Sequence, residues 1–132
     1  MTTVASETAS RFIDALHRLE DERDEQTLVE LFADDAEIRH PGHRAVEHGR
    51  EGARRFWHDY RCTFEAIHSE FHRVVEHDGL CFLEWTGRGR VHKEEPVEYQ
   101  GVTVLEMDDG HIRAMRTYYD PTQLGWTRSV VR

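Results

Sequence analysis

The sequence has few cysteines and no long apolar run. A membrane-spanning helix needs about 20 consecutive apolar residues, and the N-terminus, Met1 to Glu7, lacks the basic and apolar regions of an export signal. We therefore expect a cytoplasmic protein that does not enter a membrane. The two cysteines, Cys62 and Cys81, fall inside a predicted helix and a predicted strand, so we expect reduced packing residues and not a disulfide.

Positive charge is also scarce. There are 17 Lys and Arg residues against 26 Asp and Glu residues, which gives a formal net charge of −9. Nucleic acid and anionic membrane surfaces are therefore unsuitable partners. With 38% hydrophobic and 10% aromatic residues, the 132 residues are enough for one domain with its own core. We expect a single domain over residues 1–132.

Apolar residues recur at spacings of three and four in three segments, which predicts three helices. The first covers residues 7–20, the second is short and contains Leu28, and the third covers about 51–63. A charged run, Glu20 to Glu25, lies between the first two and is interpreted as a solvated bend. The third segment carries an aromatic stripe that could pack in a core or line a ligand cavity.

The stretch from Phe32 to Gly42 predicts the end of a helix, a tight turn at Asp34-Asp35, a strand over Ala36–His40 and a stop at Pro41. Loops that follow strands often present reactive groups. His40 is therefore either a polar strand-end residue or a reactive imidazole.

From residue 67 onward the apolar period changes to two, which predicts strands over 67–77, 80–91, 97–107 and 111–120. Asp-Gly pairs at Asp78-Gly79 and Asp109-Gly110 predict tight antiparallel hairpins, and a longer loop surrounds Lys93 to Pro96. Helices on one face of a strongly curved, mostly antiparallel sheet make an α+β fold. We expect a conical hollow kept open by Gly87, Gly101 and Thr103, and a bulge or curl at Gly87 and Gly89.

Six motifs in this order resemble the SnoaL-like group of the nuclear transport factor 2-like (NTF2-like) superfamily, whose fold is a cystatin-like cone of three helices on a curved sheet. They are Leu31-Phe-Ala-Asp-Asp-Ala36, His48-Gly-Arg-Glu-Gly52, Glu84-Trp-Thr-Gly-Arg-Gly89, Gly101-Val-Thr-Val-Leu-Glu-Met107, Asp109-Gly-His-Ile112 and Arg116-Thr-Tyr-Tyr-Asp-Pro121. The superfamily includes ketosteroid isomerases, limonene-epoxide hydrolases, scytalone dehydratases, polyketide cyclases and proteins without a known reaction, so the fold alone does not define a function.

The resemblance implies two candidate catalytic residues. His40 falls where the ketosteroid isomerases carry their proton-shuttling Asp, and Asp120 falls where many SnoaL-like proteins keep an Asp at the end of the last strand. The isomerases' oxyanion hole is missing, because Phe12, Leu16, Gly101 and Thr103 occupy its regions. The Arg and two Asp of the epoxide hydrolases are also missing, because Trp85, Gly87 and Thr117 stand at the matching positions. An Asp before a proline is equally suited to capping a turn.

A cone cavity with these features would suit a hydrophobic small molecule and cofactor-free proton transfer. Its predicted lining consists of Phe12, Leu16, Trp57, Tyr60, Phe64, Trp85, Tyr99, Thr103, Met115, Thr117 and Tyr119. No metal is expected, although His40, His43 and His48, with Glu47 nearby, could supply ligands in a loop. The remaining histidines are predicted to be scattered.

Two functions remain open. The first is an enzyme of the isomerase, dehydratase or polyketide-cyclase type that works through His40 and Asp120. The second is a non-catalytic ligand-binding or dimeric assembly domain. In either case the resemblance implies a homodimer through the outer face of the sheet, with Arg116 and Tyr118 as candidate contacts.

Overall fold

Three helices pack on one six-stranded sheet in the computed structural model, which describes residues 7–40, 46–91 and 95–124. The elements in chain order are α1 (Glu7–Glu22), α2 (Glu25–Val29), β1 (Phe32–Arg39), β2 (Glu47–His48), α3 (Gly49–Thr63), β3 (Ala66–His77), β4 (Leu80–Val91), β5 (Glu95–Asp108), β6 (His111–Tyr119) and a 3-10 turn (Pro121–Leu124). The predicted α+β class is confirmed. In this part of the chain, no helix is long and apolar enough to cross a bilayer.

The sheet has the strand order β2-β1-β6-β5-β4-β3. All neighbouring strands are antiparallel except β1 and β6, which run parallel. Because β1 lies beside β6, the end of the first strand and the end of the last strand meet at one end of the sheet. The functional site is built at that end.

The two predicted hairpins are confirmed. Asp78 and Gly79 connect β3 to β4, and Asp109 and Gly110 connect β5 to β6, with positive φ at all four residues. Two-residue loops of this kind match the twist of the flanking strands. The longer loop around Lys93 lies partly outside the described residues.

The predicted tight turn at Asp34-Asp35 is wrong. Both residues lie inside β1, which begins at Phe32. The register between β1 and β6 is irregular there, because Phe32 is opposite Ile112 whereas Glu37 is opposite Ala114. The strand bulges outward at the two aspartates and so accommodates the local preference for a turn without ending the pairing.

A second irregularity determines which side chains of β6 face the helices. Glu106 is opposite Ala114 and Met107 is opposite Ile112, so Arg113 is the extra residue. Ile112 is therefore buried and Arg113 is exposed, which reverses the strict alternation expected from the sequence. Beyond the bulge the alternation resumes, and Thr117 and Tyr119 face the helix side.

Two glycines make room for aromatic rings on the concave face. A Cβ at Gly101 would lie 2.5 Å from Cζ2 of Trp85, and one at Gly87 would lie 2.8 Å from Cε1 of Tyr99. The expectation that these glycines keep the hollow open is therefore corrected, because the rings of Trp85 and Tyr99 cover them. Of the bulge or curl expected at Gly87 and Gly89, the bulge is wrong, since the β3–β4 register is continuous at both residues and is interrupted near Phe71 instead.

Candidate functional site

A cavity of about 280 Å³ opens between the concave face of the sheet and helices α1 and α3. Nine of the residues predicted to line it do so, namely Leu16, Trp57, Tyr60, Phe64, Trp85, Tyr99, Thr103, Thr117 and Tyr119. The aromatic stripe on α3 therefore fulfils both roles considered for it, because its residues pack in the core and also line the cavity.

Phe12 and Met115 were predicted in the lining but lie in the core. Phe12 is 1% exposed and Met115 is fully buried, and both belong to the main hydrophobic cluster under α1. Phe12 is separated from the open space by Trp57, whose ring centroid is 6.0 Å away. The spacing of apolar residues in a helix or strand predicts which face points inward. It does not distinguish residues that pack in the core from residues that line the cavity.

Eight further residues line the cavity and were not predicted there: Ile38, Glu47, Phe56, Asp59, Thr63, Ser69, Phe71 and Leu124. Phe56 belonged to the α3 stripe, so its helical spacing could have indicated it. Ser69 and Leu124 carry no comparable signal, since their place depends on how β3 and the C-terminal turn fold over the sheet.

Seven aromatic rings around the cavity form a closed circuit in which each ring contacts the next. Neighbouring centroids are 4.9–6.0 Å apart, in the order His40, Phe56, Trp57, Tyr60, Phe64, Tyr99, Tyr119 and back to His40. Edge-to-face contacts at such distances are the favoured geometry of aromatic pairs. The lining is therefore largely aromatic and suited to a mainly apolar molecule.

The imidazole of His40 is part of this lining. His40 directly follows β1, is half-buried, and meets the rings of Phe56 and Tyr119 edge to face. Its Nε2 lies 3.4 Å from the hydroxyl oxygen of Tyr119 on β6. The parallel pairing of β1 with β6 brings these two groups together, and both border the cavity.

Burial raises the pKa of Tyr119 above its ordinary value. The phenol therefore stays protonated at physiological pH and can donate a hydrogen bond. An imidazole and a neutral phenol at one end of an apolar cavity are a proton acceptor and a hydrogen-bond donor within reach of the same ligand atoms.

Asp120, the second predicted catalytic residue, does not line the cavity. It is exposed, and its Oδ1 accepts hydrogen bonds from the backbone N–H and the hydroxyl of Thr122, at 3.0 and 2.8 Å. The carboxylate thus caps the turn that follows β6. The capping role of an Asp before a proline accounts for its position.

A second polar group lies on the helix side of the cavity. Glu20 is 2% exposed, so its assignment to a solvated bend is wrong. Its carboxylate accepts hydrogen bonds from the hydroxyl of Tyr60 at 2.7 Å, the hydroxyl of Ser69 at 2.6 Å and the backbone N–H of Ser69 at 2.9 Å. These three donors compensate the cost of burying the carboxylate.

A third polar group crosses the floor of the cavity. The indole N–H of Trp85 donates to the hydroxyl of Thr103 at 2.9 Å, and the hydroxyls of Thr103 and Thr117 are 3.2 Å apart. The two contacts use the indole hydrogen and one of the two hydroxyl hydrogens, so the second hydroxyl hydrogen is available to another acceptor. The indole nitrogen of Trp57, which also lines the cavity, is buried and has no hydrogen-bond partner among the described residues.

Possible metal ligands converge elsewhere than predicted. In the part of the chain that the structure describes, His17, Glu20 and His68 place one ligand atom each within 4.8 Å of one another. The two imidazoles stack at a centroid distance of 4.8 Å, and Glu20 is already engaged by Tyr60 and Ser69. The Nε2 of His17 is also engaged, because it lies 2.8 Å from the carbonyl oxygen of Ser69. His43, a candidate ligand, lies outside the described residues.

The family of the chain follows from its sequence and agrees with this architecture. The sequence profile of the SnoaL-like domain matches residues 9–115, and the chain belongs to this family. No curated protein matches the sequence significantly.

Solved structures with the same fold cover nearly the whole chain. A hypothetical protein from Catenulispora acidiphila DSM 44928, with a ketosteroid isomerase-like fold and in complex with trimethylamine, superposes with a TM-score of 0.78 at 19% identity, covering 94% of this chain and 99% of that one. An NTF2-like protein from Anabaena variabilis ATCC 29413 gives a TM-score of 0.79 at 16% identity, with coverages of 91% and 95%. A candidate SnoaL-like polyketide cyclase from Jannaschia sp. CCS1 gives a TM-score of 0.73 at 16% identity, with coverages of 93% and 94%. These similarities establish the NTF2-like fold.

Proposed function

We propose that the protein is a cofactor-free enzyme that moves a proton on a hydrophobic small molecule held in the aromatic circuit. The observation that carries this proposal is the pairing of His40 with Tyr119 at one end of the cavity, 3.4 Å apart and both in its lining. His40 is the general base, and Tyr119 is the hydrogen-bond donor.

The chemistry needs only these two groups. The imidazole accepts a proton from a carbon next to a carbonyl, and the electron pair left behind moves onto the carbonyl oxygen as an enolate. The neutral phenol of Tyr119 donates to that oxygen, and the imidazolium then returns the proton to the same or another carbon. A well-placed general base contributes about 10²–10⁴-fold to such a step, and a double-bond shift, a dehydration or an aldol-type ring closure can follow from it.

The relatives support the same class of reaction. One neighbour in structure is described as a candidate SnoaL-like polyketide cyclase and another as having a ketosteroid isomerase-like fold. Asp120 is left out of the proposed site, because its carboxylate caps the turn after β6.

A proton-exchange assay tests the proposal without the natural substrate. β-Tetralone is a flat bicyclic ketone with acidic protons beside its carbonyl. In heavy water the protein should accelerate deuterium uptake at that carbon, as measured by mass spectrometry, and His40→Gln should lower the acceleration by at least about 100-fold. Circular dichroism should show the same fold for both proteins.

A non-catalytic ligand-binding domain is the second candidate. It is favoured by the cavity floor, where the polar side chains Trp85, Thr103 and Thr117 contact one another and none of them exchanges a proton at neutral pH. Tight binding of β-tetralone without any deuterium uptake above the uncatalysed rate would select this function over catalysis.

We also propose that two copies of the chain associate through the outer, convex face of the sheet. Val75, Phe82 and Tyr118 are large apolar side chains that remain 44–52% exposed there. Val75 is opposite Phe82 in the β3–β4 register, so the two form one continuous apolar row.

A further inference from the structure

The hydroxyls of Tyr60 and Ser69 both point their hydrogens away from the cavity. A hydroxyl has one hydrogen to donate, and in each residue it is donated to Oε2 of Glu20, at 2.7 Å from Tyr60 and 2.6 Å from Ser69. The two hydroxyl oxygens lie 3.4 Å apart, and both residues line the cavity. The hydroxyl oxygens of Tyr60 and Ser69 can therefore only accept a hydrogen bond from a ligand at this position.

Glu20 enforces this direction because the same carboxylate oxygen, Oε2, accepts both hydroxyl hydrogens. Its side chain is fully buried at the end of α1, and the backbone N–H of Ser69 holds its other oxygen at 2.9 Å. Turning either hydroxyl toward the cavity would leave a buried carboxylate oxygen with a lost hydrogen bond, which is costly. Burial also raises the pKa of Tyr60 well above its ordinary value, which is consistent with a phenol that keeps its hydrogen.

This group lies away from His40 along the aromatic circuit. Phe56 and Trp57 separate Tyr60 from His40 in one direction, and three rings separate them in the other. The cavity therefore has two polar ends of different character. One end has the imidazole of His40 and the phenol donor of Tyr119, whereas at the other end the hydroxyl hydrogens of Tyr60 and Ser69 are both donated to Glu20.

We propose that Tyr60 and Ser69 form an acceptor subsite for a hydroxyl or N–H group of the ligand, and that Glu20 is the positioning residue that sets its polarity. The substrate class is then an uncharged, mainly apolar molecule with a hydrogen-bond donor remote from the reacting carbon. The position of that carbon rests on the proposed function, which places it beside His40. A carboxylate in the same position would be repelled by the lone pairs and by Glu20.

Calorimetric titration with β-naphthol and its methyl ether tests the subsite at neutral pH. The two probes share one ring system, but only the naphthol has a hydrogen to donate. We expect the naphthol to bind about tenfold more tightly, because the ether leaves the acceptor oxygens without a partner. Tyr60→Phe should reduce this preference to less than about threefold.

Two further variants separate the subsite from general damage and from catalysis. Thr117→Val also removes a hydroxyl from the cavity lining but leaves Glu20 untouched, so it should keep the tenfold preference. His40→Gln should keep it too, because this measurement requires no turnover. The two proposals are therefore tested independently. The binding preference tests the acceptor subsite, and deuterium uptake tests the proton transfer.

Glu20→Gln tests the positioning role directly. Glutamine keeps one carbonyl oxygen, which the backbone N–H of Ser69 holds, so its NH2 group faces the hydroxyls of Tyr60 and Ser69. Their hydrogens must then turn away from this group and toward the cavity. The preference for naphthol over its ether should then disappear or reverse, which simple destabilisation would not produce. Should this variant fail to fold, Tyr60→Phe still decides the matter. Equal binding of the two probes by the unmodified protein, no measurable binding of either, or an unchanged preference in Tyr60→Phe would overturn the proposal.

Discussion

The hydroxyl of Tyr119 and the Nε2 of His40 lie 3.4 Å apart although 79 positions separate the two residues in the chain. The parallel register of β1 and β6, with Arg39 opposite Arg116, brings the ends of the two strands together. Each residue alone is an ordinary strand-end residue. Together at the border of an apolar cavity, they place an imidazole nitrogen and a phenol hydroxyl within reach of one ligand, as the proposed proton transfer requires.

Tyr119→Phe should weaken proton exchange less than loss of His40 does. The substitution removes the hydrogen bond to the developing enolate but keeps the ring that packs against His40 and Tyr99. Loss of one such bond, worth about 0.5–1.5 kcal/mol, corresponds to roughly 3–10-fold in rate. Deuterium uptake by β-tetralone measures it, with the dissociation constant of β-tetralone as a check that the cavity is intact. An unchanged rate would assign the hydroxyl no part in the reaction.

Gly101→Ala should destabilise the fold. The added Cβ would lie 2.5 Å from both the Trp85 ring and the backbone oxygen of Tyr118, and the backbone atom cannot move aside without disturbing the β5–β6 pairing. We expect a loss of about 1–3 kcal/mol in the free energy of unfolding, as for other overpacked sites. Urea denaturation followed by tryptophan fluorescence measures this loss.

Gly110→Asn is the matched control for that experiment. Gly110 has a φ of +79° and no atom within 4 Å of an added Cβ, and asparagine tolerates the left-handed region better than other residues. We expect a change of less than about 0.5 kcal/mol. A similar loss in both variants would mean that backbone freedom, and not the contact with Trp85, governs the effect at Gly101.

Sequence periodicity predicted the elements well because most of them bury one face. The strand over Leu80–Val91 has the predicted bounds, and the two Asp-Gly hairpins occur where they were expected. Errors arose where pairing between distant strands overrides local preference. Asp34 has a turn-forming side chain, yet it lies in β1 because β6 pairs alongside.

The sequence predicted the aromatic residues of the site but not the buried carboxylate that orients its hydroxyl groups. Trp57, Tyr60 and Tyr119 were identified from spacing and from the resemblance. Glu20 was not, because a glutamate in a charged run normally faces solvent. Tyr60 on α3 and Ser69 on β3 donate the hydrogen bonds that compensate the burial of Glu20. These contacts span 40 and 49 positions in the chain, so the local sequence does not indicate them.

Stability should fall steeply at alkaline pH because of Tyr60 and Tyr99. Burial raises the pKa of both phenols above their ordinary value, with neighbouring tyrosine rings and Glu20 acting in the same direction. In the unfolded chain they ionise near pH 10. The unfolded state therefore binds fewer protons above about pH 10, so the stability that is fully present below that pH is lost as pH rises.

The expected slope is about 1.4 kcal/mol per pH unit for each of the two phenols. Urea denaturation at a series of pH values above 10 measures it, and phenolate absorbance should increase together with unfolding. Tyr99→Phe should reduce the slope by one such increment. A slope that does not change in this variant would show that Tyr99 ionises within the folded protein.

The outer face of the sheet has the pattern expected of a self-association surface. Phe82 is opposite Val75 on one side and Val104 on the other, and in the adjacent row Tyr118 is opposite Val102. Three of these five residues are between 44% and 52% exposed. An apolar stripe across the centre of a sheet face can pair with the same stripe on a second copy related by a two-fold axis.

Phe82→Glu should therefore shift the protein from dimer to monomer. The substitution places a charge in the middle of the stripe, and in a two-fold dimer the charge would occur twice and meet itself across the axis. Glu84 is an exposed residue on the same face of β4, opposite Val102, so Glu84→Gln serves as a control that removes a charge beside the stripe without placing one within it. Light scattering at micromolar concentration should give a dimer for the unmodified protein and for Glu84→Gln, and a monomer for Phe82→Glu. A monomer in all three would remove the proposed interface, and a dimer in all three would place it elsewhere on the surface.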